Sequence, residues 1–245
     1  AEKHTPLAEL DVSRPEYYQN DTWRPLFDRL RKEAPVHYLA DSANGPFWSI
    51  TSHHLIKEID ANNTVFSSEK GGISIVDLMP IEGQVQGKNF IAMDEPDHAK
   101  QRNAVAPSVA PMNLAELEPI IRDRAVDILE NLPVGETFNW VQEVSIALTA
   151  RMLATLFDFP YEERQKLVRW TDLATAIPEV TGDDSIDMQA RYEELMGAAA
   201  AFYQLWMAKA GQPPTFDLIS MLQHNETTAR MNENADQFLG NILLL

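Results

Sequence analysis

The sequence predicts a mainly α-helical fold with a small β-sheet element near the N-terminus. From about residue 96 onward, apolar residues recur at steps of three and four over several long segments, which is the period of an amphipathic helix. Before that point, the short apolar segments VHYLA and FWSIT flank the sequence DSANGP, whose Asn44-Gly45 pair is typical of a β-hairpin turn. No repeat or linker interrupts these patterns, so we expect residues 1–245 to form a single domain.

Each predicted element in the first two thirds of the chain has its own signal. TWRPLFDRLRKEA places Leu26, Phe27 and Leu30 on one helix face, and Pro35 ends that helix. SHHLIKEIDAN predicts a short helix, and TVFSS predicts a further short strand. NLAELEPIIRDRAVDILENL carries an amphipathic stripe, whereas WVQEVSIALTARMLATLFD is apolar almost all round and therefore predicts a buried central helix.

Three further helices are predicted toward the C-terminus. PYEERQKLVRWTDLATAI begins with Pro160 and a cluster of acids, which is typical of a helix N-terminus. YEELMGAAAAFYQLWMAKAG places aromatic and aliphatic side chains on one face, as a helix packed on a core does. NADQFLGNILLL is a helix pattern that becomes strongly apolar at its end. Since native termini are usually polar, we expect the parent chain to continue beyond Leu245.

The charge and composition exclude several classes of protein. A formal net charge of −17 argues against a nucleic-acid-binding protein and against electrostatic docking to anionic membranes. The polar start of the chain predicts no signal peptide and no membrane anchor, and no apolar run reaches the length that spans a bilayer. The chain contains no cysteine, which excludes disulfides, thiol nucleophiles and cysteine metal ligands within it. We therefore expect a cytoplasmic globular protein.

A long segment, EKGGISIVDLMPIEGQVQGKNFIAMD, combines loop-forming and apolar residues. It contains four of the ten glycines together with six aliphatic or methionine side chains between residues 73 and 81. Loops of this length are uncommon in compact domains and are often functional. The segment is therefore either a binding loop or a loop packed onto its own core, and the residues alone leave both interpretations open.

The segment MDEPDHAKQR places two cationic side chains after the start of a predicted helix. Pro96 suits the first turn, and Asp94 or Glu95 could cap it. His98 and Arg102 are four residues apart and so share one helix face. Two such donors form a good fork for a carboxylate, because each supplies charge-assisted hydrogen bonds. A solvated face, with Arg102 paired to an acid, is the alternative.

Several segments occur in an order that identifies a possible family. FSSEKGG, the glycine-rich apolar loop, FIAMDEPDHAKQRNAVAPSVAP, LAELEPIIRDRAVDILENL and LTARMLATLFDFPYEERQKLVRW follow one another. This order resembles the N-terminal half of a soluble bacterial cytochrome P450, and the resemblance covers essentially the whole chain. It implies a cytochrome P450-like fold that stops at the start of the central long helix. It also implies a haem cofactor (iron protoporphyrin IX), whose two propionates would be bound by His98 and Arg102.

Within that family, the sequence is most similar to the bacterial alkane and fatty-acid ω-hydroxylase branch. The resemblance implies a linear aliphatic substrate, hydroxylated near its terminal carbon with O2. A saturated chain offers no polar handle, so apolar contacts have to hold it. The expected substrate-binding residues are aliphatic: Ile73, Val76, Leu78, Met79, Ile91, Ala176, Ile177 and Leu244. Electrons would come from a ferredoxin and an NAD(P)H-dependent ferredoxin reductase.

The family's proximal cysteine, whose thiolate favours O–O cleavage, is absent from these residues. We expect it beyond residue 245, so that no catalytic residue and no metal ligand lies in this segment. The 245 residues alone are then expected neither to hold haem nor to react.

Other functions remain open at this level. A cytochrome P450 acting on a terpenoid or steroid-like substrate would carry the same motifs. A non-catalytic helical protein that sequesters a hydrophobic ligand would explain the apolar loop and the missing cysteine, but not the His98/Arg102 context. A helical scaffold without a ligand is a third alternative, against which the glycine-rich apolar loop counts.

Overall fold

The computed structural model describes residues 5–75, 85, 87–176 and 187–245. Contacts divide the chain into two units. The described part of the N-terminal unit consists of residues 5–75 and 91–95, and that of the helical unit consists of residues 85, 87–90, 96–176 and 187–245. Each unit has its own buried core, and the two are described in turn. Whether residues 1–245 form a single domain stays a prediction.

The N-terminal unit contains the predicted hairpin. Strands β1 (Val36–Leu39) and β2 (Phe47–Ile50) pair antiparallel, with Val36 opposite Ile50 and Leu39 opposite Phe47. Gly45 adopts a positive φ of 73°, which a glycine reaches without steric cost, so the Asn44-Gly45 turn signal is confirmed. The helices of the unit are α1 (Pro15–Gln19), α2 (Arg24–Glu33) and α3 (His53–Ala61), with a 3-10 turn at Leu7–Glu9.

The core of the N-terminal unit lies between α2 and the preceding segment. Leu26 and Leu30 project from one face of α2 at the predicted spacing of four residues, and Leu10 and Val12 pack against them. Leu30 is completely buried. Burying such a side chain stabilises a fold by about 1.5–3 kcal/mol, so this small cluster contributes to holding the N-terminal segment on α2.

The helical unit is built from a succession of α-helices joined by short turns. The helices are α4 (Asp97–Val105), α5 (Pro111–Glu130), α6 (Ala147–Phe157), α7 (Gln165–Thr175), α8 (Met188–Lys209), α9 (Leu218–His224) and α10 (Ala235–Leu244). A π-helical turn, Val141–Ile146, precedes α6, and 3-10 turns occupy Phe90–Ala92, Ala106–Val109, Tyr161–Glu163 and Met231–Glu233. The predicted helices of this part of the chain are therefore confirmed.

The core of the helical unit is rich in aromatic side chains. Phe202 of α8 lies at its centre, with its ring centroid 5.1 Å from that of Phe157 and 5.5 Å from that of Phe159. Trp206, one turn later on α8, contacts Phe238 of α10 edge to face at 5.7 Å. Such offset and edge-to-face pairs add about 0.5–1.5 kcal/mol each to the burial of the rings. The aromatic face predicted for α8 is thus a packed core face.

Two predicted elements differ from the structure. Residues 64–68, expected as a strand, form turns, because the Ser67 hydroxyl and the Ser68 amide bind a carboxylate instead of a neighbouring strand. The helix expected to be buried all round begins with an exposed end, where Trp140 and Val141 expose 54% and 55% of their surface. Burial on this helix starts at Ala150, since only its C-terminal turns pack into the core of the unit.

None of the helices among the described residues combines the length and the apolar character needed to cross a bilayer.

Candidate functional site

Helix α4 carries the predicted pair of cationic side chains. Pro96 lies at its N-cap and Asp97 in its first turn, where a carboxylate is favourable for the helix dipole. His98 and Arg102 follow on successive turns of the same face. Ala104 is the buried residue of the helix, so α4 presents most of its side chains away from the core. The i, i+4 geometry predicted from the sequence is therefore present.

His98 is half-buried and lies against an aromatic ring. The ring of Phe90 stacks on its imidazole, with the centroids 6.3 Å apart and the planes inclined by 29°. Phe90 itself is buried, with 7% of its surface exposed. The buried ring covers one side of the imidazole and so restricts the orientations that His98 can take on α4.

Arg102, in contrast, is exposed. No carboxylate of the described residues forms an ion pair with it, although the whole sequence contains 37 acids. Lys100, two residues earlier, is paired with Asp97 at 3.1 Å and so does not compete for the same partner. The guanidinium of Arg102 lies at the surface of the helical unit. A planar five-donor group suits a carboxylate or phosphate in bidentate geometry.

In the N-terminal unit, Asp94 binds residues 67–69, where the long glycine-rich apolar segment begins. Its carboxylate accepts hydrogen bonds from the Ser67 hydroxyl and from the backbone N–H groups of Ser68 (2.9 Å) and Glu69 (3.3 Å). The expected capping of α4 by Asp94 is not observed, since no side chain caps that helix. The Ser67 hydrogen bond is the main cause that lowers the pKa of Asp94. The two backbone amides and the charge of Lys70 lower it further, against the opposing effect of desolvation.

The lowered pKa of Asp94 predicts a pH-dependent contribution to stability. A carboxyl whose pKa is depressed on folding contributes stability above its unfolded pKa of about 3.9, and this contribution is lost as the pH falls through the folded value. We expect Asp94→Asn to weaken the acid dependence of unfolding and to be less stable than wild type at neutral pH. Urea unfolding at a series of pH values measures both effects. Asp60→Asn, an exposed acid of α3, is the control, and equal acid dependence in the two variants would contradict the prediction.

A close crossing of two backbone segments, which was not predicted from the sequence, lies beside the candidate site. Gly240 of α10 packs directly on the backbone of Gly87 and Lys88. Next to it, the buried Asn241 accepts a hydrogen bond from the backbone N–H of Phe90 at 3.0 Å. The signal available in the sequence was the pair Gly240-Asn241 inside the otherwise apolar segment FLGNILLL, since a glycine and an amide in such a run indicate a close approach and a buried hydrogen bond.

The expected substrate-binding residues are distributed over both units. Val76, Leu78, Met79 and Ile177 lie outside the described residues. In the N-terminal unit, Ile73 exposes 61% of its surface and Ile91 is half-buried. In the helical unit, Ala176 is the C-cap residue of α7 and Leu244 lies in the last turn of α10, both half-buried. Their role as a pocket wall stays a prediction.

The chain is similar to several monooxygenases and cytochromes P450, although no protein-family profile matches it. The chain is 28% identical over 244 residues to the linalool 8-monooxygenase of Pseudomonas putida, which covers 96% of the chain and 58% of that enzyme. It is 27% identical over 229 residues to the steroid C26-monooxygenase of Mycobacterium tuberculosis, with coverage of 87% of the chain and 50% of the enzyme.

Two similar solved structures share more of the sequence. CYP153D17 from Sphingomonas sp. PAMC 26605 is 41% identical, with a TM-score of 0.85, and cytochrome P450-153 from Novosphingobium aromaticivorans is 37% identical, with a TM-score of 0.80. In both comparisons the match covers 96% of the chain and 58% of the other protein. The chain thus spans little more than half the length of the relatives that it matches.

Proposed function

Because this chain belongs to the cytochrome P450 superfamily, we propose that it is the N-terminal part, within a single domain, of a haem-thiolate monooxygenase. The expected family and the mainly helical fold with one small antiparallel sheet are confirmed. The observation that carries the proposal is the pair on α4, where His98 is oriented by Phe90 and Arg102 is not paired with a described acid.

The residues of α4 fit the carboxylates of a haem. The imidazole of His98 and the guanidinium of Arg102 project from one helix face, one turn apart, and each would hold one propionate by charge-assisted hydrogen bonds. Bound haem with a thiolate ligand supplies the activation of O2. The 245 residues contain no cysteine, so this ligand has to come from outside them. The part of the protein described here contributes binding and orientation of the cofactor.

The proposed substrate is a linear aliphatic molecule, an alkane or a fatty acid, hydroxylated near its terminal carbon. The aliphatic residues between positions 73 and 81 and the resemblance to the alkane and fatty-acid ω-hydroxylases support this class. The chain is 41% identical to CYP153D17 and 37% identical to cytochrome P450-153. Its identity to the linalool 8-monooxygenase, 28%, and to the steroid C26-monooxygenase, 27%, is lower. A terpenoid or steroid-like substrate is the second candidate, because enzymes named for those substrates are among the relatives.

The proposed partners follow from the reaction. A monooxygenase needs two electrons for each O2, and we propose a ferredoxin with an NAD(P)H-dependent reductase as their source, in the cytoplasm. These partners are carried over from the family resemblance. The acidic chain, with a net charge of −17, offers no argument for a nucleic-acid partner.

The absorption spectrum of the reduced, CO-bound protein, as its host makes it, tests the proposed function. A thiolate-type Soret shift is the expected result. A protein without haem, or with a histidine-type spectrum, would contradict a haem-thiolate enzyme and would favour a helical protein that binds a hydrophobic ligand without chemistry.

A substrate panel tests the proposed class. The intact protein, supplied with a ferredoxin and reductase, should convert medium-chain alkanes or fatty acids faster than terpenes and steroids, with the oxygen near the chain end. Faster conversion of linalool or a steroid would assign the second candidate.

A further inference from the structure

Asn241 is a buried residue whose side-chain amide forms hydrogen bonds through both its oxygen and its nitrogen. It lies on α10 with 2% of its surface exposed. Its Oδ1 accepts from the backbone N–H of Phe90 at 3.0 Å, and its Nδ2 donates to Oε1 of Gln101 at 2.6 Å. Since a backbone N–H can only donate, the Phe90 bond fixes the orientation of the amide and leaves Nδ2 toward Gln101.

Phe90 and Gln101, the two hydrogen-bond partners of Asn241 described above, contact or belong to α4, the candidate haem-binding helix. Phe90 is the residue whose ring stacks on His98. Gln101 lies on α4 itself, three residues after His98 and directly before Arg102. A single side chain on α10 therefore holds the segment that orients His98 and also the helix that carries the pair. All of these residues belong to the helical unit.

The surroundings explain why an amide occupies this position. Gly240 allows α10 to approach the backbone of Gly87 and Lys88 so closely that residue 241 reaches the Phe90 amide. An apolar side chain of similar size would leave the Phe90 N–H buried without a partner, and such an unsatisfied donor is destabilising. The asparagine lies in the segment FLGNILLL, where an apolar residue would otherwise suit the helix.

We propose that Asn241 is a positioning residue for the haem-propionate pair, tying both the Phe90 segment and α4 to α10. This role rests on the proposed function, because it requires that His98 and Arg102 bind a haem. Asn241 does not touch the cofactor in this scheme. It holds α4 and the Phe90 ring in place, and these position His98 and Arg102. The two side chains are then already ordered in the haem-free protein, so haem binding costs less conformational entropy.

The test uses the intact holoprotein with the variants Asn241→Leu, Gln101→Met and their combination. Asn241→Leu removes both of these hydrogen bonds and also the 3.4 Å contact of Nδ2 with Sδ of Met231, whereas Gln101→Met removes only the link to α4. The rate of haem transfer to excess apomyoglobin should rise about tenfold in Asn241→Leu and about threefold in Gln101→Met, as expected for a loss of one to two net hydrogen bonds. The combined variant should be no faster than Asn241→Leu, because the two residues act through one contact.

Thr228→Val is the matched control. Thr228 is buried in the same unit and donates one hydrogen bond to the Leu222 carbonyl at 2.7 Å, a bond that involves neither a residue of α4 nor Phe90. It should lower thermal stability without changing the haem transfer rate or the propionate bands of the resonance Raman spectrum, which Asn241→Leu should shift. If Asn241→Leu does not fold, Gln101→Met alone carries the test.

The outcomes separate the two proposals. Wild-type protein that holds haem, with transfer rates in Asn241→Leu and Gln101→Met equal to those of Thr228→Val, would overturn the positioning role and leave the proposed function standing. A wild-type protein without haem would overturn both. Amide hydrogen exchange at Phe90, which needs no cofactor, would still report whether the bond to Asn241 exists.

Discussion

Replacing both His98 and Arg102 by alanine should largely abolish haem retention by the intact protein. Each side chain is expected to make charge-assisted hydrogen bonds to a propionate, worth about 1.5–3 kcal/mol each. The loss of both therefore corresponds to a haem affinity that is weaker by about a hundredfold or more. Haem occupancy after purification, measured by the pyridine haemochromogen assay, and the rate of haem transfer to apomyoglobin quantify the effect.

The control for this double variant is Lys100→Ala. Lys100 lies between the two residues on α4, is exposed, and pairs with Asp97 in the same helix. Its removal changes the charge of α4 without removing either of the proposed propionate ligands, so haem occupancy should stay at the wild-type level. An unchanged haem content in the double variant would show that the cationic pair does not bind the cofactor, whatever the fate of Lys100→Ala.

The His98/Arg102 pair could be predicted from the sequence because it depends on local geometry alone. Residues four apart on one helix share a face, and the helix start is marked by Pro96 and Asp97. The hairpin was predictable for the same reason, since Asn44-Gly45 and the short apolar segments that flank it lie within 15 residues. What these features share is that their determinants are adjacent in the chain.

The contacts that support the pair could not be predicted in this way. Asn241 and Phe90 are 151 residues apart, and Asp94 and Ser67 are 27 apart. The capping rule fails at Asp94. Its position before Pro96 suits a helix cap, but its carboxylate instead accepts hydrogen bonds from three donors of residues 67–69. Periodicity and capping rules describe one element at a time, whereas these bonds depend on how elements pack.

The burial of a helix also depends on distant contacts, whereas its presence can be predicted locally. The apolar residues of 140–158 predicted a helix, and the helix is present from Ala147 to Phe157. Sequence alone could not say that Trp140 and Val141, at the π-helical turn before this helix, would be exposed, because a continuous apolar run does not specify which of its turns has a neighbour.

The crossing of α10 over residues 87 and 88 is the contact most sensitive to a single added atom. A Cβ on Gly240 would lie closer than 3.0 Å to the carbonyl carbon and oxygen of Gly87 and to the carbonyl carbon of Lys88, a separation that real Cβ atoms essentially never have. All three neighbours are backbone atoms, so no rotamer change can relieve the overlap. Gly87 itself adopts a φ of 69°, a left-handed conformation that glycine reaches without steric cost.

Gly240→Ala should therefore destabilise the intact protein by about 2 kcal/mol or more. Overpacking against backbone costs about 3 kcal/mol, and the higher helix propensity of alanine offsets about 1 kcal/mol of that. Gly197→Ala is the matched control, since Gly197 lies within α8 and a Cβ there would meet no atom within 4 Å. The control should stabilise the protein by about 0.5–1 kcal/mol. Urea unfolding of the two variants measures the difference. Equal stability would mean that α10 does not cross residues 87 and 88 at this distance, and the hydrogen bond from Phe90 to Asn241 would then lose its geometric basis as well.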